Sequence, residues 1–385
     1  MVGLLLARAG VSVLVLEKHA DFLRDFRGDT VHPSTMEILE QLGMLDRFLA
    51  RPHDRIDQAE LTIGGKDYVL GDLRQLKTAA PFIAMMPQWE FLDFLKQEAA
   101  AFPSFALRMV ADVDGLIESE GRINVVRLND GETITAGRLV IAADGRKSVV
   151  RTNGLLPLTE FGAPMDVFWF AIPKADHGTR RLRGNFDVGR ILVLIDRGSY
   201  WQCAYLLPKG KAALVKERGI AAFVDDVEAA APDLAPLADK LSSIDQLSLL
   251  SVALDRLDRW HRPGLLAIGD AAHAMSPIGG VGINLAIQDA VAAANILAAP
   301  LAAGQNVDAL LHKVEARRLF PTRIIQRAQK LAQDRIIGAL LKPGATLAHA
   351  PLPVRLLNRF PLLRRIPGRV IGLGIRRERV ESPVG

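Results

Sequence analysis

The sequence predicts an α/β protein: a parallel, doubly wound sheet domain, interrupted by a mainly antiparallel sheet region and closed by a helical C-terminal segment. Three observations carry this prediction. Continuous apolar runs recur in "VSVLVLE", "RLVIAADG" and "GLLAIGDAA", each ending in a carboxylate. Strands covered by helices on both faces read this way, because neither face meets water. Residues 157–256 instead carry aromatic and β-branched strands separated by Gly, Asp and Arg turns. From about residue 301 the chain reads as helical, becoming Pro- and Arg-rich toward its end.

Each element follows from its own pattern. "GLLLARAG" predicts a short helix ending at Gly10, where a left-handed residue closes the last turn. "VSVLVLE" is the first buried strand, and Glu17 ends it. "MEILEQLGMLDRFL", from Met36 to Leu49, and "WEFLDFLKQEAAAF", after Pro87, have apolar residues at helical spacing. The stretch from Phe105 alternates, with "NDG" at Asn129–Gly131 marking a hairpin, before "RLVIAADG" returns to a fully apolar strand. "DVFWFAIP", "RILVLID" and "YWQCAYLLP" are strands of the interrupting region, beside an Ala-rich helix near "FVDDVEAAAP". A strand, a glycine loop and a long small-residue helix follow in "GLLAIGDAAHAMSPIGGVGINLAIQDAVAAANILAAPL".

Composition narrows the function classes. With 385 residues, 49% hydrophobic and 24% charged, the chain has ample material for a large core. A single cysteine, Cys203, excludes a disulfide framework, a CxxC redox pair and a cysteine zinc site; no metal is expected. The net charge of +5 comes largely from the last third, in "EARRLF", "RFPLLRRIPGR" and "GIRRERV". No stretch interleaves aromatic and basic residues as a single-strand platform does, so nucleic acid is not an expected partner. No apolar run is long enough to span a bilayer, and no signal peptide is apparent, so a cytoplasmic protein is expected. The tail "PVRLLNRFPLLRRIPGRVIGLGIRR" mixes apolar and basic residues as interfacial anchors do, while Pro353, Pro361 and Pro367 forbid one continuous helix. It reads as a solvated basic surface or as a weak peripheral membrane contact.

Three constellations carry chemistry. Glu17, at a strand end, reads as an acceptor for ribose hydroxyls or as a simply exposed glutamate. Asp144-Gly145 closes a buried strand, either aiming a carboxylate into the crevice at the sheet's carboxyl edge or making an Asx turn. The third is the most specific. A buried strand delivers Asp270 to the sheet edge, within reach of a ribityl or ribose hydroxyl. Pro277, Gly279, Gly280 and Gly282 form a loop whose backbone N–H groups can approach a planar ligand. The helix starting near Gly282 points its positive end at that ligand. A flavin, which gathers negative charge on reduction, suits such a site.

These motifs resemble a known family. "ADGRKSVVR" and "GDAAHAMSPIGGVGIN" are similar to the two downstream motifs of the class A FAD-dependent monooxygenases, the para-hydroxybenzoate hydroxylase type. "LLLARAGVSVLVLEK" resembles the continuation of that family's first motif, "DFRGDTVHPSTMEILEQLGMLDRFL" its arginine segment, and "PQWEFLDFL" a further flavin-contacting segment. The similarity covers about residues 1–300, in family order. It implies a Rossmann-like FAD-binding domain in two parts, 1–156 and 257–300. An inserted, mainly antiparallel substrate domain occupies 157–256, and 301–385 forms C-terminal helices and a basic tail.

The resemblance also implies roles. Glu17 holds the adenosine ribose, Arg27 lies beside the flavin, and Gln88 contacts the ribityl or pyrophosphate region. Asp144, with Gly145, sits near the pyrophosphate, and Asp270 binds the ribityl chain. The run Pro277, Gly279, Gly280, Gly282, Ile283 and Asn284 lines the isoalloxazine. NAD(P)H is a transient co-substrate that reduces FAD. Oxygen then adds at flavin C4a, and the hydroperoxide hydroxylates an aromatic or polyketide-like small molecule. A homodimer is compatible with the family. No catalytic side chain is identified; His32 and His273 are candidate bases or packed histidines, and Trp169, Tyr200, Trp201 and Tyr205 are pocket or core aromatics. The alternatives are a reductase or dehydrogenase on the same scaffold, or a truncated paralogue without flavin chemistry.

Two departures stand out. Phe168 and Phe170 replace the tryptophans of the related flavin halogenases, which argues against halogenation. The family's first strand and Gly-x-Gly-x-x-Gly loop are expected upstream of "MVGLLLARAG", with the third glycine before Met1. A misassigned start or a true loss would explain their absence, and the chain as given is expected to bind FAD weakly or fold poorly.

Overall fold

The first helix, Val2–Arg8, lies directly on a parallel pair of strands, Val13–Leu16 and Phe105–Arg108, in the register Val13↔Phe105 to Leu16↔Arg108. Gly3 permits this approach: a Cβ there would stand 2.9 Å from Val15 Cγ2 and 3.2 Å from Phe105 Cε2. Close helix–strand packing is the task of the third glycine in a dinucleotide fingerprint. Gly3 performs the same packing task here, at the start of this helix. The helix ends where predicted, at Gly10 with φ +81°.

This computed structural model describes residues 1–23, 30–63, 66–174, 182–187, 190–236, 240–341 and 350–385. A second parallel pair joins Val140–Ala142 to Leu265–Ala267, with His261–Arg262 antiparallel on its outer side. Among the described residues the two parallel pieces share no strand. They are joined instead through helices: Leu6 and Ala9 of the first helical segment meet Leu266, Ile268, Ala290, Ala293 and Leu297 in one buried cluster. The alanines of the Gly282–Ala302 helix let it come close to its neighbours. That helix is long and apolar enough to cross a membrane, yet 67% of its most apolar window is buried inside the protein, so it is the core helix of the fold.

The interrupting region forms a seven-stranded sheet in the order Ser248–Leu250, Met165–Pro173, Tyr200–Pro208, Arg190–Asp196, Leu182–Asp187, Gln58–Ile63 and Lys66–Asp72. All its pairings are antiparallel except that of Leu182–Asp187 with Gln58–Ile63. A hairpin from residues 58–72 thus extends a sheet whose other strands come from 165–250. Side chains alternate across it. Phe168, Phe170, Leu192, Leu194, Cys203 and Tyr205 pack under the Gly219–Ala230 helix, where Phe223 meets three of their rings edge-on at 5.2–6.0 Å. The opposite face carries Val167, Trp169, Ile191 and Val193 toward Ile278 of the glycine loop and Met85.

Two sequence expectations change in detail. The helix predicted over 36–49 is two helices, Pro33–Gln41 and Leu45–Leu49, separated by Gly43 at φ +67°. The C-terminal part begins with the Leu311–Ala332 helix. Further on, the helices Leu352–Arg359 and Arg365–Leu373 cover the edge strand Lys66–Asp72. The last residues return to the start of the chain, where Gly385 N–H donates to Arg8 O at 2.9 Å.

Candidate cofactor site

Parallel pairing of Val140–Ala142 with Leu265–Ala267 brings Asp144 and Asp270 to the same carboxyl edge of the sheet. Ile268 N–H donates to Ala142 O at 3.0 Å, extending the ladder to the brink of both motifs. Gly145 turns the chain at φ +84°, and Asp144 Oδ2 accepts the Val149 N–H at 2.9 Å. That bond satisfies an N–H at the start of the short Val149–Thr152 helix, five residues on, and is not an Asx turn; the residue stays exposed, with its second oxygen available to a ligand. Arg146 then spans the two motifs: Nε donates to Asp270 Oδ2 at 3.2 Å and Nη2 to Met275 O at 3.0 Å. Its Nη1 is buried and has no hydrogen-bond partner.

The glycine loop follows. Gly279 and Gly280 take φ +79° and +61°, and a Cβ on Gly280 would fall 2.7 Å from Thr30 Oγ1. Thr30 Oγ1 donates to Gly280 O at 3.0 Å. Asn284 secures the same junction from inside: its amide donates to Thr30 O and Gly280 O, and its Oδ1 accepts from His32 N–H and Thr35 Oγ1. The Asn284 side chain is therefore a buried staple and does not face a ligand. Pro277 precedes the loop, Gly282 begins the Gly282–Ala302 helix, and Ile283 packs against the core cluster around Met36 and Leu39.

A buried charge network holds this edge from behind. Asp289 accepts from Gly269 N–H at 3.1 Å, from Arg318 Nε at 2.9 Å, and pairs with His273 Nε2 at 2.6 Å. All three side chains are wholly buried. Burial alone would push the Asp289 carboxyl up, but the charges and hydrogen bonds of His273 and Arg318 outweigh it and hold it below its usual value. Arg318 Nη1 continues to Glu378 Oε1 at 3.1 Å, tying the chain's end to the same cluster. The network fixes Gly269, and so the backbone that presents Asp270.

Both candidate bases are packed histidines. His273 serves Asp289 and lies against Trp260, ring centroids 4.9 Å apart and planes tilted by 40°. His32 is fully buried with Nδ1 donating to Ile371 O at 2.8 Å; burial draws its pKa down to about 4, against the raising effect of that hydrogen bond. The aromatics divide by face. Tyr205 belongs to the core under Phe223, its hydroxyl pushed up to about 12 by burial, and Trp201 packs on the same side. Trp169 faces the glycine loop side, and its buried indole N–H has no acceptor.

Glu17 ends the other parallel pair, where its N–H donates to Arg108 O at 2.9 Å and its carboxylate accepts from His19 N–H at 3.0 Å. Gln88 opens the Gln88–Ala99 helix, whose Phe91 and Phe94 pack with Leu4 and Leu5. Arg27 lies outside the described residues. The residues brought into one group are thus Asp144, Gly145, Asp270 and the 277–284 loop, with Arg146 between them. Sequence reading missed Arg146, Thr30 and Asp289. Asp289 had a signal, the single charged residue in a long, small-residue helix. The donor set fits FAD: a half-exposed carboxylate for ribityl hydroxyls, an unpartnered buried guanidinium nitrogen for an anionic group, and a positive-φ cradle that side chains would fill.

Comparison with known proteins agrees with this geometry. Residues 1–328 match the family model described as FAD binding domain. The 6-methylpretetramide 4-monooxygenase of Streptomyces rimosus is 33% identical over 375 residues, covering 96% of this chain and 88% of that protein. A rifampicin monooxygenase of Streptomyces venezuelae is 29% identical over 301 residues, 73% of this chain but 58% of that longer protein. Among solved structures, p-nitrophenol 4-monooxygenase from Pseudomonas putida superposes with a TM-score of 0.76 at 19% identity, covering 98% and 95% of the two chains. The chain belongs to the FAD-binding-domain family and, within it, to the FAD-dependent aromatic monooxygenases of class A.

Proposed function

We propose that this flavoprotein hydroxylates a polycyclic, polyketide-like aromatic molecule, with NAD(P)H as electron donor and oxygen as co-substrate. Bound FAD supplies the electron transfer and oxygen activation common to its family. Asp270 and Arg146 hold the ribityl and phosphate side of the cofactor, Asp144 and Glu17 its nucleotide half, and Gln88 the stretch between. The backbone of Pro277–Asn284 offers N–H dipoles to the flavin ring without side-chain rearrangement.

The observation that carries the substrate reading is the sheet face opposite the Gly219–Ala230 helix. There Val167, Trp169 and Val193 oppose Ile278 of the glycine loop, so an apolar ring system would be held against the flavin with water excluded. The unpartnered Trp169 indole N–H offers one donor to a carbonyl or phenol oxygen of that ring system. Relatives of this chain are named as monooxygenases of 6-methylpretetramide and of rifampicin, which supports an aromatic, polyketide-like substrate.

The test supplies the FAD-loaded protein with NADH or NADPH, a panel of fused-ring phenols and isotopically labelled oxygen. Substrate-stimulated NAD(P)H oxidation with one labelled oxygen atom in the product is expected. Reduction of the substrate without label would establish the reductase reading instead. Failure of the folded protein to bind added FAD would sink both.

A further inference from the structure

We propose that the layer formed by residues 350–373 is a peripheral docking surface for an anionic lipid bilayer. The inference is independent of the substrate reading and rests on which groups the layer buries and which it leaves out.

Its inner side is fixed. Gly368 seats against the Asp72 backbone so closely that a Cβ would fall 2.4 Å from Asp72 O, and Gly372 seats against Leu73, Leu76 and Pro33. Val354 packs with Ile63 and Ala350, and Ile371 O accepts from the buried His32. The outer side is left apolar: Leu352 and Ile366 are each 64% exposed, Phe360 52% and Leu362 72%. Leu352, Leu356 and Phe360 recur every four residues, which aligns them on one side of the Leu352–Arg359 helix.

Charge decides the occupant. Between Asp334 and Glu378 the sequence contains no acidic residue, while Arg355, Arg359, Arg365 and Arg369 stand exposed among the apolar tips. Among the described residues none of these four forms an ion pair with a carboxylate. A second copy of the chain docked by this face would set arginines against arginines, which disfavours a self-interface. An anionic headgroup layer answers both features at once, attracting the guanidinium groups while the apolar tips enter at headgroup depth. The pieces are short, interrupted at Phe360–Pro361, and packed on the Lys66–Asp72 strand, so they rest on a bilayer and do not span it.

The test is flotation of the full chain with vesicles of phosphatidylcholine alone or with added phosphatidylglycerol. Two variants accompany it: R355Q/R359Q/R365Q/R369Q and L352S/F360S/L362S/I366S. Unchanged thermal midpoint and flavin content show that both variants remain folded; for any set that fails this check, its paired halves are read instead. Binding is expected only with the anionic vesicles, weakened by salt and reduced at least about tenfold in each variant. Equal binding of wild type and arginine variant, or no binding to anionic vesicles, would overturn the proposal. So would a dimer in sedimentation velocity that the serine variant dissolves, since the face would then join two copies.

Discussion

At the residue scale, the site is governed by backbone positions that side chains cannot occupy. Gly145 and Gly280 both sit at positive φ, but for different purposes. Gly145 faces open space, so its only demand is conformational; Gly280 is also pressed against Thr30, 2.7 Å from where a Cβ would lie. Replacing Gly145 with Ala should cost about 1 kcal/mol of backbone strain. Gly280→Ala carries the same strain plus displacement of Thr30, about 1–3 kcal/mol more from overpacking, and it should also weaken FAD. Thermal midpoints and flavin-to-protein ratios of the two variants check this; equal losses in both would show that the Thr30 contact does not shape the loop. These glycines were readable because the sequence places them after a strand-ending Asp. Thr30 was not, since its contact spans 250 residues and leaves no local pattern.

At the element scale, polar links between distant segments hold the site's supports together. The start of the Pro33–Gln41 helix is tied to the Arg365–Leu373 helix by His32 Nδ1 and Ile371 O. Because His32 is buried, its pKa is about 4 in the folded protein against 6.5 in an exposed imidazole. The unfolded chain therefore binds the extra proton first as pH falls. The stabilising effect of keeping His32 neutral is complete above pH 6.5 and is lost as pH falls from 6.5 to about 4. That difference corresponds to about 3 kcal/mol. Asp289 is shifted in the same direction, below the usual carboxylate value of 3.8, so its contribution is also lost as pH falls, but only below that value. His32→Asn retains a donor near the same carbonyl without the titration. Its thermal midpoint should fall less steeply across this window than the wild type's, and parallel curves would contradict the argument. Periodicity revealed the helices themselves, but not these cross-ties, because a lone histidine or aspartate carries no record of the segment it meets.

At the scale of the whole molecule, the parallel strands stand in two hydrogen-bonded pieces, Val13–Leu16 with Phe105–Arg108 and Val140–Ala142 with Leu265–Ala267. Sequence patterning disclosed the Val13–Leu16, Val140–Ala142 and Leu265–Ala267 strands with the acidic residues after them, because apolar runs and their terminal carboxylates are local signals, whereas Phe105–Arg108 read as part of an alternating stretch. It could not disclose the split, which depends on pairing. Glu17 belongs to one piece, while Asp144 and Asp270 belong to the other. A dinucleotide held at both ends therefore acts as a brace between pieces that, among the described residues, share no strand and meet in a buried side-chain cluster. Such a ligand stabilises the folded state by an amount that grows with its concentration, about 2.7 kcal/mol at a hundredfold excess over Kd. FAD added to the flavin-depleted protein should accordingly raise the thermal midpoint and slow amide exchange in both strand pairs together. FMN, which lacks the adenosine half, should protect only the Val140–Ala142 and Leu265–Ala267 pair. Equal protection by FAD and FMN would mean that Glu17 takes no part in binding and that the brace does not exist.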